Sequence, residues 1–215
     1  MLGNKFRSKV KKTLLAVTKP LALLPITPNQ FTFLSIPLAA IAAYFIAAGQ
    51  FGISIFFVVL SILIDVLDGS FAENKKQKTN FGNYWDAVVD KVVESILYVG
   101  FVFISPLAAI LALAGTMLEG FAKPRVGLVI ITDNHDWPAI GERSDRLLIL
   151  TVGLVLAVLL PVYQSQIIPL VLWLVFLVTA VGFIQRVHYA KGLIEKAEKE
   201  KTLLPYLQAN AKKRK

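Results

Sequence analysis

Four aspartates, Asp65, Asp68, Asp86 and Asp90, lie at the ends of two strongly apolar stretches of the chain. A carboxylate set so deep in an apolar run is costly to keep unless it binds something. Spacings of three and four residues put each pair on one face of a helix, and the short polar link 73–83 brings the two pairs together. Negative charges at such close quarters repel, and the compensation that suits hard oxygen donors is one or two Mg²⁺-type divalent ions. The small residues beside them, Gly69, Ala72 and Gly82, keep the surface thin enough for a bulky phosphorylated ligand to approach. Small residues in membrane helices also serve close packing. That accounts for the glycines and leaves the acids unexplained.

Long apolar runs alternate with short polar breaks along the whole chain, and the mean hydropathy, +0.64, is well above that of a soluble domain. Six spans fit, at 31–48, 53–72, 84–104, 107–122, 147–162 and 167–187, each close to the roughly 20 residues that cross about 30 Å of hydrocarbon. The expected fold class is therefore an all-α integral membrane protein. Its connections alternate in charge. Segments 1–30, 73–83, 123–146 and 186–215 carry every lysine and arginine except Lys91, whereas the turns near Gly49, Pro106 and Gln164 carry no charged residue. By the positive-inside rule the charged face, the aspartates and both termini are cytoplasmic, at a cell membrane.

A net charge of +9 gathered on one face suits anionic lipid headgroups, and no motif pairing aromatic with basic residues argues for nucleic acid. Without cysteine, disulfides and thiolate metal sites are excluded, and two histidines make a poor zinc site, so a bound metal is held by oxygen. No removable signal peptide is expected, since the N-terminus lacks an apolar core followed by a small-residue cleavage site. Three regions result: a juxtamembrane piece at 1–30, a six-helix membrane domain at 31–190 and a basic cytoplasmic tail at 191–215. Residues 5–24 mix Lys5, Lys9, Lys11, Lys12 and Lys19 with Phe6, Val10, Leu14, Leu15, Val17 and Leu21, the pattern of an interfacial amphipathic helix. Pro25 and Pro28 should separate it from the first span, with a Thr27-Pro28-Asn29 turn at the surface.

From Asp65 to Asp90 the chain resembles the CDP-alcohol phosphotransferase (CDP-alcohol phosphatidyltransferase) family. That family's signature is Asp-x2-Asp-Gly-x2-Ala-Arg-x8-Gly-x3-Asp-x3-Asp, and every spacing and all but one identity are present. The resemblance extends over most of the chain and implies six transmembrane helices, an N-terminal interfacial helix, a cytoplasmic-side site and a homodimer. It further implies transfer of a phosphatidyl-type group from a CDP-linked lipid to a polar alcohol, with release of CMP, in phospholipid synthesis. Asp65, Asp68 and Asp86, with Asp90 completing the set, would hold Mg²⁺ or Mn²⁺. Asp90 would also be the general base toward the acceptor hydroxyl. Asp65, Asp68, Gly69, Ala72, Gly82 and Asp86 would line the nucleotide pocket.

Glu73 stands where the signature has arginine. A carboxylate beside a diphosphate opposes anion binding. Either a neighbouring cation such as Lys75 or Lys76 substitutes, or the donor is altered, or the chain is an inactive relative; retention of four costly acids favours activity. A second group of cations, Lys123, Arg125, Arg143 and Arg146, resembles the Lys-x-Arg and Glu-Arg-x-x-Arg elements of family members that take inositol phosphate. They are the candidates for binding an acceptor phosphate, of inositol phosphate or glycerol phosphate, although juxtamembrane cations also serve as anchors. Asp133, His135 and Asp136 before Trp137 read as a polar loop, and His188, Tyr84 and Trp85 as interfacial residues. A divalent-cation transporter would need acids near mid-membrane on broken or repeated helices, and neither feature is visible here.

Overall fold

The computed structural model describes residues 2–131, 137 and 140–204, with side chains from Val10 onward. Asp133, His135 and Asp136, residues 205–215 of the tail and the side chains of Lys5, Phe6 and Lys9 lie outside the described set. Two compact units result, Met1–Ile104 and Ser105–Lys215. Both are helical among the described residues, apart from one isolated antiparallel bridge between Ile130 and Leu203.

The first unit runs α1 (Leu2–Leu21), α2 (Pro28–Phe33), α3 (Ser35–Ala47), α4 (Phe51–Asn74) and α5 (Asn80–Val102). Thr27 opens α2 with a reciprocal cap: its hydroxyl accepts from the Gln30 amide at 3.3 Å, and the Gln30 side chain accepts from the Thr27 amide at 2.8 Å. Pro28 takes the first helical position, where a missing N–H costs nothing. The Thr-Pro-Asn segment is thus a helix start. Helix α1 lies on α4, where the Asn74 amide donates to the Leu15 carbonyl at 2.8 Å and to the Thr18 hydroxyl at 2.7 Å. Beneath it, Phe31 and Phe71 stack with ring centroids 4.4 Å apart, packed with Leu67, Leu14 and Leu21.

Helix α3 packs on both α4 and α5 through buried Ala39, Ala42 and Ala43. A Cβ added at Gly100 of α5 would stand 2.6 Å from the Ala43 carbonyl oxygen, so the two backbones touch. Here the packing role of small residues applies.

The second unit comprises α6 (Pro106–Val126), α7 (Arg143–Leu159), a short 3-10 turn at Pro161–Tyr163 and α8 (Gln164–Glu200). Helix α8 packs against both α6 and α7. Gly115 of α6 meets Thr179 of α8, and a Cβ at Gly153 of α7 would stand 2.6 Å from Val171 of α8. Large apolar side chains point outward in both units, among them Phe56 and Leu63 of α4 and Leu170, Leu177 and Ile184 of α8. In water these surfaces would be a liability, and in lipid they are the expected exterior.

Among the described residues, four helical stretches are long and apolar enough to cross a membrane: Pro28–Ala47, Phe51–Asn74, Pro106–Val126 and Pro161–Glu200. The third and fifth expected spans fall on α5 and α7, which do not reach that standard. Helix α5 carries Asp86, Asp90, Lys91 and Glu94 within its first two-thirds, and α7 has 17 residues and begins with Arg143, Asp145 and Arg146. Charge in one and length in the other set them apart. The sixth expected span continues past its predicted end, as α8 runs unbroken to Glu200.

Candidate active site

The four aspartates sit on either side of the α4–α5 hairpin. Helix α4 ends at Asn74; Lys76 then adopts a left-handed conformation, φ 54°, as the Lys76 amide donates to the Glu73 carbonyl and the Gln77 amide to the Ala72 carbonyl, each at 3.0 Å. Such a turn closes the exposed carbonyls of a helix end. Thr79 then starts α5 by accepting from the Gly82 amide at 2.9 Å. The hairpin therefore brings the end of one acid-bearing helix beside the start of the other.

Carboxylate oxygens of Asp65, Asp86 and Asp90 lie within 4.8 Å of one another, and all three residues are half-buried. At an effective dielectric of about 20, two unit charges roughly 5 Å apart repel by about 3–4 kcal/mol. Oxygen ligands of Mg²⁺ or Ca²⁺ stand about 2.0–2.6 Å from the ion, so three oxygens this close can share one cation. The donor set, all hard oxygen, suits Mg²⁺ or Mn²⁺. Asp68 is not one of the three. Its side chain is 8% exposed and its Oδ2 accepts a hydrogen bond from the Thr32 hydroxyl at 2.8 Å.

Beside the carboxylates is a cavity of about 260 Å³, bounded by Asp68, Gly69, Ala72, Lys78, Gly82 and Asp86. Every residue expected to border a nucleotide pocket is on its wall except Asp65. A Cβ at Gly69 would meet nothing within 4 Å, so packing does not require glycine there; a Cβ at Gly82 would approach the Thr79 hydroxyl at 3.2 Å. Gly69→Leu is expected to leave thermal stability unchanged or raise it by about 1 kcal/mol through helix propensity. The same substitution fills the cavity and should raise KM for a donor by about tenfold or more. Melting curves in detergent, read beside CMP-release kinetics, separate the two effects.

Helix α2 closes the cavity from the N-terminal side. Besides the bond from Thr32 to Asp68, the Trp85 indole donates to the Asn29 carbonyl at 3.2 Å, tying α5 to the start of α2. Trp85 thus has a bonded position, while Tyr84 is exposed. Neither Lys75 nor Lys76 borders the cavity. The Lys75 ammonium donates to the carbonyls of Leu24 and Ile26 at 2.7 and 2.6 Å, and Lys76 is the exposed turn residue.

In the second unit, Lys123 is half-buried near the end of α6, Arg125 is exposed and Arg143 is half-buried at the start of α7. Arg146 is 1% exposed. Its guanidinium pairs with Glu119 at 2.9 Å and donates to the Gly141 carbonyl, and Glu119 also pairs with Arg186 at 2.6 Å. Arg146 therefore serves a buried ion-pair network, an arrangement the expectation of an open phosphate donor did not include. A lone acid within the fourth apolar stretch is the signal that points to Glu119. His188 is exposed on α8.

Together these features define a helical membrane protein whose oxygen-rich acidic centre adjoins a small polar cavity. The CDP-alcohol phosphatidyltransferase family model matches residues 25–181, which contain the whole of this centre, and the chain belongs to that family. It is accordingly an enzyme that transfers phosphatidyl groups to alcohols, in a family that uses a CDP-lipid donor and a divalent metal. The chain is 30% identical to archaetidylinositol phosphate synthase of Pyrococcus horikoshii, over 89% of its own length and 98% of the relative's. A second archaetidylinositol phosphate synthase, from Methanothermobacter thermautotrophicus, is 27% identical over 70% of this chain and 75% of the relative. In fold the chain resembles Mycobacterium tuberculosis phosphatidylinositol phosphate synthase (PgsA1) with CDP-DAG bound. The TM-score is 0.71 at 20% identity, covering 83% of this chain and 94% of that one. The same protein in complex with manganese and citrate gives 0.70, covering 82% and 88%.

Proposed function

We propose that this protein moves a phosphatidyl-type group from a CDP-linked lipid to a phosphorylated polyol of the inositol phosphate class, releasing CMP. The observation that carries the reading is the Asp65–Asp86–Asp90 oxygen cluster beside a cavity walled by Asp68, Gly69, Ala72 and Gly82. The acceptor class is supported by the names of the two archaetidylinositol phosphate synthases. A cavity of about 260 Å³ suits a headgroup and leaves the lipid tails to the bilayer.

Asp65, Asp86 and Asp90, with Asp68 on the cavity wall, would hold Mg²⁺ or Mn²⁺, as a pair of ions in the full complex. Bound there, the metal supplies positive charge to the diphosphate and to the departing phosphate of CMP. Asp68 is oriented by Thr32. Gly69 and Ala72 leave room for the nucleotide. Asp90 accepts the proton of the acceptor hydroxyl as that oxygen forms a bond to the lipid-side phosphorus. The bond from this phosphorus to the bridging oxygen breaks, and the bridging oxygen leaves with CMP. Lys123, Arg125 and Arg143 meet the acceptor's phosphate, with Arg146 supporting them from its pairing with Glu119.

We further propose six spans, with α5 and α7 crossing as members of the helical bundle that 31–190 form and with α1 lying in the headgroup region. The aspartates and both basic ends then face the cytoplasm, where the tail 191–215 and α1 meet anionic lipid, and the working form is a homodimer. The test is CMP release by purified protein with CDP-archaeol or CDP-diacylglycerol, supplied in turn with inositol phosphate, glycerol phosphate and serine. Release is expected with inositol phosphate, lost on chelation and restored by Mn²⁺ or Mg²⁺. Release with serine or glycerol phosphate alone would replace the acceptor. No release from folded protein with any pair would overturn the reading.

A further inference from the structure

Lys78 is the one cation among the described residues that line the cavity. Its ammonium is 2.6 Å from Glu73 Oε2, while the other carboxylate oxygen of Glu73 is 3.1 Å from the ammonium of Lys11 on α1. Lys75 is committed to two carbonyls, and Lys76 shapes the turn. Left to itself, a lysine on the short segment between α4 and α5 would sample many rotamers and point mainly to water. Glu73, one residue beyond cavity-lining Ala72, gives it a fixed direction. Lys11 in turn anchors Glu73. The three charges sum to a single positive charge, the charge of one arginine.

We infer that Lys78, aimed by the Glu73–Lys11 pair, is the group that receives the diphosphate of a nucleotide-linked donor in this cavity. The inference rests on the transferase reading above and adds a residue to it. Glu73, which alone would repel the ligand, acts as a positioning residue. The lysine's side chain is 57% exposed and the glutamate's 32%, so the ion pairs hold direction more than they hold the fold, as exposed pairs contribute little stability. Placing a cation on the hairpin and its counter-charge on the helix end yields a cation that can swing onto phosphate when the ligand arrives. The cavity already contains the acids that hold metal, and Lys78 adds a charge-assisted donor that needs no metal.

The test measures CDP binding by calorimetry in Mn²⁺, together with KM and kcat for CMP release. Lys78→Met is expected to weaken CDP binding and raise KM for the donor by about tenfold, with a smaller change in kcat, while Lys78→Arg stays near the original. Lys76→Asn, at the left-handed turn, leaves both unchanged. Glu73→Asp keeps the charge and withdraws the carboxylate by one methylene. It should weaken binding about threefold, and have no further effect once Lys78 is Met. Glu73→Arg in the Lys78→Met background should recover affinity, since residue 73 reaches the same space. Unchanged CDP binding by Lys78→Met, or a Glu73→Asp effect that persists without Lys78, overturns the inference while leaving the transferase reading intact. A parent protein that neither binds CDP nor releases CMP overturns both.

Discussion

Asp90→Asn is expected to lower the rate of CMP release by about 10²- to 10⁴-fold, the span attributable to one positioned general base. Asparagine keeps the shape and one acceptor oxygen but has no basicity at neutral pH. Asp90 stands one helical turn beyond Asp86 on α5, with its carboxylate in the same 4.8 Å cluster as Asp65 and Asp86. On the proposed roles the substitution removes a metal-ligand charge along with the base, and a metal titration separates the two losses. Asp86→Asn should regain much of its activity at high Mn²⁺. Asp90→Asn should remain slow at saturating metal, with KM for the donor close to that of the parent. Full recovery of Asp90→Asn by added metal would assign Asp90 to metal binding alone.

The largest expected effect on stability lies in the second unit. Glu119, 2% exposed, faces Arg146 at 2.9 Å and Arg186 at 2.6 Å. Removing its carboxylate leaves two guanidinium groups buried without this counter-charge, and breaking a buried pair in this way costs about 3–5 kcal/mol. Glu119→Ala should lower the melting temperature by about 10 °C or more in detergent, on the scale of roughly 2–4 °C per kcal/mol for a chain of this size. Arg146→Met should be destabilising too. Combining it with Glu119→Leu should cost less than the two single changes summed, because the pair leaves together. Simple addition of the two effects would show that the groups act independently.

The aspartates were legible in the sequence because helical spacing is local: three and four residues bring side chains to one face whatever surrounds them. Gly69 and Gly82 were legible for the same reason. Thr32 was not, since it reaches Asp68 from 36 positions away, on a helix whose register depends on the Thr27 cap. Of the closely spaced Lys75, Lys76 and Lys78, spacing alone could not say which would border the cavity. The left-handed turn at Lys76 decides it, by sending Lys75 back toward the link between α1 and α2 and Lys78 forward. Hydropathy located the apolar stretches yet could not show that α7 would stop at Leu159 or that α8 would run on to Glu200. A cation at a span end carries no mark of its partner in the sequence, so Arg146 resembles a phosphate donor there. Glu119, buried 27 positions earlier, supplies that partner.

The contact of Gly100 with Ala43 makes α5 a lever. Gly100 is ten residues from Asp90, about 15 Å along the helix axis at 1.5 Å per residue. Any side chain there must push the α3 and α5 backbones apart, and a stiff helix carries that displacement to its other end as a change of angle. The oxygen cluster at that end depends on sub-ångström placement. A position without a functional group thereby bears on where the Asp86 and Asp90 carboxylates stand, and on the proposed roles drift in sequence at residue 100 would surface as drift in rate.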